Sequence, residues 1–234
     1  MKTTIAIPCV VEHLDNIDIL LHHVVGGTVL PDEVVIAVFP VTKKEQHEKI
    51  VNIQNKYQNY FQLNILESTD QKPREYARNF LIPFLSGDLI LWHDADDTQH
   101  PQRIEIVKRF FEEYDIVHLC HAYRMNNEKE IGHIDFDSIQ YISSQQIFQH
   151  KDYINKLQNY DILDRTIWET FAFGGGFDMP IHAGVCCVKK EVLEKIKFTR
   201  EYPGEDSKFC FDILMQHKKT ILIDAKIYNY NIIE

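Results

Sequence analysis

The chain has 234 residues, with 25 Lys+Arg against 35 Asp+Glu, a formal net charge of −10. Its 44% apolar and 26% charged residues are ordinary globular composition, neither disordered nor fibrous, and the length supports a substantial hydrophobic core. The acidic balance argues against nucleic acid or an anionic membrane surface as partner, since both are held through clustered Lys and Arg. A small phosphate ligand stays compatible if a metal ion bridges it to the protein.

The first apolar run, Thr3–Val10, reads as a buried strand; neither a basic n-region nor a long apolar h-region is present, so no secretory signal is expected. From Asn16 to Val25, Ile17, Leu20, Leu21 and Val24 recur at helical spacing, with Asp15 as the expected cap and Gly26-Gly27 as the stop. Val34–Phe39 predicts a second buried strand, Lys43–Tyr57 a helix buried through Ile50, Ile53 and Tyr57, and Phe61–Leu66 a third strand. Pro73–Leu81 predicts a helix with proline in its first turn, ended or kinked by Pro83. A strand over Asp88–Trp92, a helix over Pro101–Tyr114 and a strand over Asp115–Cys120 follow.

This β-α alternation predicts a mainly parallel sheet with helices on both faces, and ligands beyond the carboxyl ends of its strands. The polar stretch Tyr123–Pro180, with Gly174-Gly175-Gly176 and Trp168, predicts an elaborated region. Then come a strand over His182–Val188, a short helix over Glu191–Ile196, a helix over Glu205–His217 buried through Phe209, Ile213 and Leu214, a strand over Thr220–Ile223 and an alternating tail, Ile227–Ile232. No run reaches the ~18 apolar residues of a membrane-spanning helix. Cys9, Cys120, Cys186, Cys187 and Cys210 are scattered, form no C-x-x-C pair and sit mostly in apolar runs, so reduced core thiols are expected rather than a disulfide frame or a zinc site, together with a cytoplasmic location.

The chemistry concentrates at Leu89-Ile90-Leu91-Trp92-His93-Asp94-Ala95-Asp96-Asp97, where an apolar strand runs into three carboxylates. Half-buried carboxylates repel one another unless a cation sits between them, and oxygen donors suit a hard divalent ion, Mn2+ or Mg2+, which would bridge a diphosphate. The competing reading is a solvated acidic turn with Asp97 capping the next helix.

Several stretches, in order, resemble the GT-A glycosyltransferases, family 2 in particular. They are Ile5-Ala6-Ile7-Pro8, Pro31-Asp32-Glu33-Val34-Val35-Ile36, Glu75-Tyr76-Ala77-Arg78-Asn79, the segment from Gly87 to Asp97 with His100-Pro101-Gln102-Arg103, Ala183-Gly184-Val185 with Lys189-Lys190-Glu191-Val192, Gly204-Glu205-Asp206, and Ile227-Tyr228-Asn229-Tyr230. The resemblance implies one GT-A domain over 1–234, with residues 1–122 as the nucleotide-sugar half and 123–234 as the acceptor and catalytic-base half. It implies an inverting, metal-dependent hexosyltransferase moving a sugar from a nucleoside-diphosphate sugar, UDP-sugar first among them, to a glycan or other hydroxyl acceptor. Pro8, Arg78, Asp94, Ala95 and Asp96 would bind the donor, Asp96 and Asp94 the metal, Asp206 would be the base and Glu205 would orient the acceptor. The family's second strand ends in an aspartate that reads the base; Phe39-Pro40 stands there, with Glu12 as a substitute. His182 is the candidate third metal ligand, and His217 a helix C-terminal cation. Tyr123, Arg124 and Asp178 fall in the acceptor region. Two rivals stay open: a haloacid-dehalogenase-type phosphatase with Asp94 as nucleophile, and a non-catalytic sugar-nucleotide-binding module.

Overall fold

The computed structural model describes residues 1–70, 74–125, 128–149, 183–199 and 205–231. The strands are β1 (Thr3–Val10), β2 (Glu33–Phe39), β3 (Gln62–Glu67), β4 (Leu89–Trp92), β5 (Thr98–Gln99), β6 (His118–Met125), β7 (Tyr141–Ser143), β8 (Cys186–Lys189) and β9 (Thr220–Tyr230). The helices are α1 (Leu14–Val25), α2 (Lys44–Tyr57), α3 (Arg74–Leu81), α4 (Arg103–Glu113), α5 (Ser144–Gln149), α6 (Lys190–Leu193) and α7 (Glu205–His217). Together the strands form one sheet of order β3-β2-β1-β4-β8-β6-β9-β5, with β7 on β9.

The parallel part is the left half, where β1 pairs β2 and β4, and β2 pairs β3. β8 then enters antiparallel between β4 and β6, and β6 pairs β9 in parallel again. The central strands β1, β2, β4 and β8 feed alternate residues to two cores. Ile5, Ile7, Val34, Ile36, Leu89, Leu91 and Cys187 face α1, α2 and α4; Ala6, Val35, Ala37, Ile90, Trp92 and Cys186 face α3, α6 and α7. A sheet covered on both faces needs near-continuous apolar strands, which is why β2 and β4 carry so little polarity.

The helix faces expected from periodicity are the buried ones: Ile17, Leu20, Leu21 and Val24 on α1, and Ile50, Ile53 and Tyr57 on α2. Gly87 admits β4 to the sheet, because a Cβ there would lie 2.5 Å from Thr4 Oγ1, the atom that accepts the Gly87 N–H at 2.9 Å.

Several boundaries differ from those expected of the sequence. Asp15 is not the cap of α1 but a first-turn residue, paired with Lys49 at 2.7 Å; the helix starts two residues earlier than expected, at Leu14, with His13 in the cap position. The end of α3 is as expected: the helix stops at Leu81, and Pro83 stands in the 3-10 turn Ile82–Phe84 that follows. Residues 183–185 form a 3-10 turn rather than strand, and the Gly184 carbonyl accepts from a side chain, Arg103, at 2.7 Å. The expected strand over 220–223 and tail over 227–232 are one strand, β9, whose pairing with β6 shifts register around Ala122. That irregularity accommodates the polar Asp224, which accepts the Gln140 N–H at 2.9 Å. Trp92 is core, edge-on to Phe198 with centroids 5.1 Å apart. Gly174–Gly176, Trp168, Asp178 and His182 lie outside the described residues. None of the described helices is long and apolar enough to cross a membrane.

Candidate active site

β1 is flanked by β2 on one side and β4 on the other, so the chain departs from it in opposite directions and leaves a crevice at the carboxyl ends. The cleft found there is lined by Pro8, Cys9 and Val10 from β1, Phe39 from β2, Ala77 and Arg78 from α3, and Asp94–Asp97 from the loop after β4. His13 and Tyr230 complete the lining.

Arg78 is the centre of its electrostatics. The side chain is 4% exposed, yet its guanidinium donates from Nη2 to Asp94 Oδ1 at 3.0 Å and from Nη1 to Glu205 Oε1 at 2.5 Å. Burial opposes its charge, but the fields of Asp94, Asp206 and Glu205 outweigh burial and hold it above the ordinary arginine range. One cation therefore clamps the loop after β4 to the first turn of α7, joining residues more than a hundred positions apart in the chain. Its Nε is buried with no hydrogen-bond partner among the described residues.

The three carboxylates after β4 play different parts. Asp94 and Asp96 are half-buried at the cleft, and Asp96 Oδ2 lies 3.7 Å from His13 Nδ1. Asp97 is 2% exposed, and neither a solvated turn residue nor a helix cap: Tyr228 Oη donates to its Oδ2 at 2.7 Å and the Asn231 N–H to its Oδ1 at 2.8 Å. Tyr228 Oη also accepts the Asp94 N–H at 3.1 Å, and Asn231 Nδ2 donates to the Asp96 carbonyl at 2.8 Å. The end of β9 thus fastens the acidic loop.

Burial, with the charges of Asp94 and Asp96, pushes the Asp97 carboxyl up to about 7 against the hydrogen bonds from Asn231 and Tyr228. Between about pH 4, where an unfolded aspartate titrates, and pH 7, the folded chain holds a proton that the unfolded chain has lost. Stability from this group is therefore lost as pH rises through that window and stays lost above it. In chelator-containing buffer, Asp97→Asn is expected to gain on the wild type steadily from about pH 4 to 7, by on the order of 4 kcal/mol, and to run parallel to it above. Urea melts at several pH values check this; a pH-independent difference would show that Asp97 titrates normally.

Behind the loop, Arg103 is fully buried, and among the described residues its hydrogen bonds go to carbonyls and side-chain acceptors rather than to a carboxylate. It donates to the Trp92 carbonyl at 2.9 Å, the Gly184 carbonyl at 2.7 Å and His121 Nε2 at 3.1 Å, and lies over the Tyr228 ring, 5.0 Å from its centroid. Sequence reasoning placed Arg103 only within a motif and missed this knot, along with His13 and the bonding role of Tyr228. A signal for Arg103 existed: a cation in the first turn of a helix, where the macrodipole disfavours it, needs acceptors from elsewhere.

Of the expected donor-binding residues, Pro8, Arg78, Asp94, Ala95 and Asp96 line the cleft together. Glu12 is exposed on the 3-10 turn after β1, outside that lining, and its neighbour His13 reaches in instead. Phe39 closes the β2 side, edge-on to Phe80 with centroids 5.3 Å apart. Cys9 is a neutral thiol there, since burial and the charges of Asp96 and Glu12 raise it. Glu205 and Asp206 open α7, and His217 stands in its last turn. Arg124 is turned to Asn229 Oδ1 at 3.0 Å.

A nucleotide-diphospho-sugar transferase architecture of the GT-A kind is what this mixed sheet and switch-point cleft define. The chain belongs to glycosyl transferase family 2, whose family model matches residues 4–167. Among solved structures it is similar to TarS of S. aureus, residues 1–349, at 16% identity and a TM-score of 0.70, covering 99% of this chain and 60% of that one. The same TarS fragment in complex with UDP-GlcNAc matches at 18% identity and 0.69, covering 100% and 59%. A mannosyltransferase from Pyrobaculum calidifontis, in complex with GDP-Man and Mn2+, matches at 17% and 0.64, covering 98% and 56%. The chain thus spans about three fifths of these proteins' length. No curated protein matches it. Family membership sets aside the phosphatase reading of Asp94.

Proposed function

We propose that this chain transfers a sugar from a nucleoside-diphosphate sugar, a UDP-sugar first among them, to a hydroxyl of a glycan or similar acceptor, inverting the anomeric carbon. The observation that carries the reading is the Arg78 clamp, which brings the acidic loop after β4 and the Glu205-Asp206 turn to one guanidinium. Residues 1–122 hold the donor, and 123–234 supply the acceptor side and the base. The similar structures in complex with UDP-GlcNAc, and with GDP-Man and Mn2+, support the donor class.

Arg78 meets the nucleotide or its phosphates, and Pro8 and Phe39 line the base pocket. An acceptor hydroxyl attacks the anomeric carbon from the side opposite the departing diphosphate, and Asp206 takes its proton, so one displacement gives inversion. Glu205, fixed by Arg78, orients the acceptor. Asp94 and Asp96 fit a hard divalent cation, Mn2+ or Mg2+: both are oxygen donors facing the cleft, and Asp96 stands beside an imidazole, a donor Mn2+ also accepts. When bound, the ion would neutralise charge on the diphosphate.

The test is a screen of UDP-, GDP- and dTDP-sugars with Mn2+, reading nucleoside-diphosphate release and the melting midpoint. Slow hydrolysis of donors sharing one base, abolished by EDTA, is the expected result, with a stabilisation of about 2.7 kcal/mol at a hundredfold excess over Kd. A shift without turnover would make the chain a binding module; neither, for any donor, would overturn the reading.

A further inference from the structure

A second cluster of ligand-type side chains lies inside the core, on the α7 face of the sheet. His118 and Cys120 are two residues apart on β6 and so point the same way. Cys186 on β8 is the register partner of Cys120. Cys210, on α7, closes the group from the helix side. One ligand atom from each of the four lies within 4.8 Å of every other. All four residues are at most 1% exposed. Cys187, the sequence neighbour, faces the opposite core.

We propose that His118, Cys120, Cys186 and Cys210 form a tetrahedral site for a structural zinc ion. Zinc–sulfur and zinc–nitrogen bonds of about 2.3 and 2.0 Å put tetrahedral ligand atoms about 3.3–3.8 Å apart. His118 Nε2 and Cys120 Sγ are already 3.3 Å apart, and the outer separations need close by only about 1 Å. The imidazole is already oriented to ligate: Thr220 Oγ1 lies 3.2 Å from Nδ1, so an Nδ1–H donated there leaves the Nε2 lone pair facing the thiols. Complete burial leaves no position for water or substrate, which makes the site structural rather than catalytic. Binding releases three thiol protons to solvent and involves no redox step.

The ion would pin α7 to β6 and β8, five residues after Glu205, and so hold the turn that meets Arg78. Thiolate ligands keep it distinct from a hard cation at Asp94 and Asp96. The inference stands apart from the transferase reading, because zinc content is measured without a donor sugar.

The experiment is elemental analysis of protein purified under reducing conditions without added zinc, with cobalt substitution of the wild type. About one zinc per chain is expected, retained through EDTA dialysis and released by a mercurial thiol reagent, and the cobalt form should show tetrahedral d–d bands with a thiolate charge-transfer band. Cys210→Ser and His118→Ala should each weaken metal retention by about 10-fold or more, whereas Cys187→Ser should keep it. Should the variants fail to fold, the wild-type cobalt spectrum decides alone. Wild-type protein without zinc and without the charge-transfer band, a Cys120–Cys186 disulfide in the reduced preparation, or zinc fully retained by a folded Cys210→Ser variant would each overturn the assignment.

Discussion

Asp206→Asn is expected to lower sugar transfer by about 10²–10⁴-fold while leaving donor affinity and folding nearly unchanged. The amide is almost isosteric with the carboxylate but cannot accept the acceptor's proton near neutral pH, so the loss falls on kcat, equivalent to about 3–5 kcal/mol of transition-state stabilisation. The stability cost is small because Asp206 lies in the first turn of a helix, where exchanging a charge for an amide changes the macrodipole interaction by about 0.3–1 kcal/mol. A purely structural carboxylate pair would give the reverse pattern: lower melting temperature with kcat intact. Donor hydrolysis, transfer kinetics and thermal melting of the same variant separate the two, and an unchanged kcat would move the base elsewhere.

Arg78→Met is expected to be the most destabilising single change at the site. It removes one cation from two carboxylates, of which Asp94 is 27% and Glu205 18% exposed. Breaking a buried pair costs about 3–5 kcal/mol; partial solvent access to both acids places this case near the lower end, about 3 kcal/mol. For a domain of this size the unfolding midpoint then falls by about 6–12 °C. Adding Glu205→Gln should recover part of the loss, because one stranded charge disappears, and the double-mutant cycle measures the coupling. The variant should also lose the melting shift given by nucleotide with Mn2+. A destabilisation below about 0.5 kcal/mol, typical of exposed positions, would mean that water rather than Arg78 carries these charges.

Much of the architecture follows from local patterns. Apolar runs bounded by proline and glycine mark β1, β2 and β4, and helical spacing marks the buried faces of α1 and α2, because each pattern needs only one neighbour to cover it. The tail was less legible. A polar Asp224 interrupts the apolar alternation of β9, and only the irregular pairing with β6 lets one strand continue through it. Likewise, β8 is short and apolar, and nothing in its own residues says that it enters antiparallel between β4 and β6.

The acidic loop and the Glu205-Asp206 pair stand out in the chain as residue types, but not their division of labour. Asp97 differs from Asp94 and Asp96 only because β9 covers it, which turns a would-be surface aspartate into a buried acceptor for Tyr228 and Asn231. Phe39 and His13 shape the cleft for the same reason, each brought there by the strand end or turn it follows.

By itself the sequence determined the alternation of strands and helices from β1 to α4, the two-faced burial of the sheet and the places where carboxylates gather, since these depend on hydrophobic period and composition over a few residues; it marked neither β5, β7 nor α5. Only the tertiary structure decided that Arg78 would clamp Asp94 to Glu205, and that His118, Cys120, Cys186 and Cys210 would converge. Such pairings are set by strand order and register, which bring together groups as far apart in the chain as Arg78 and Glu205, and no local pattern encodes which distant strand becomes the neighbour.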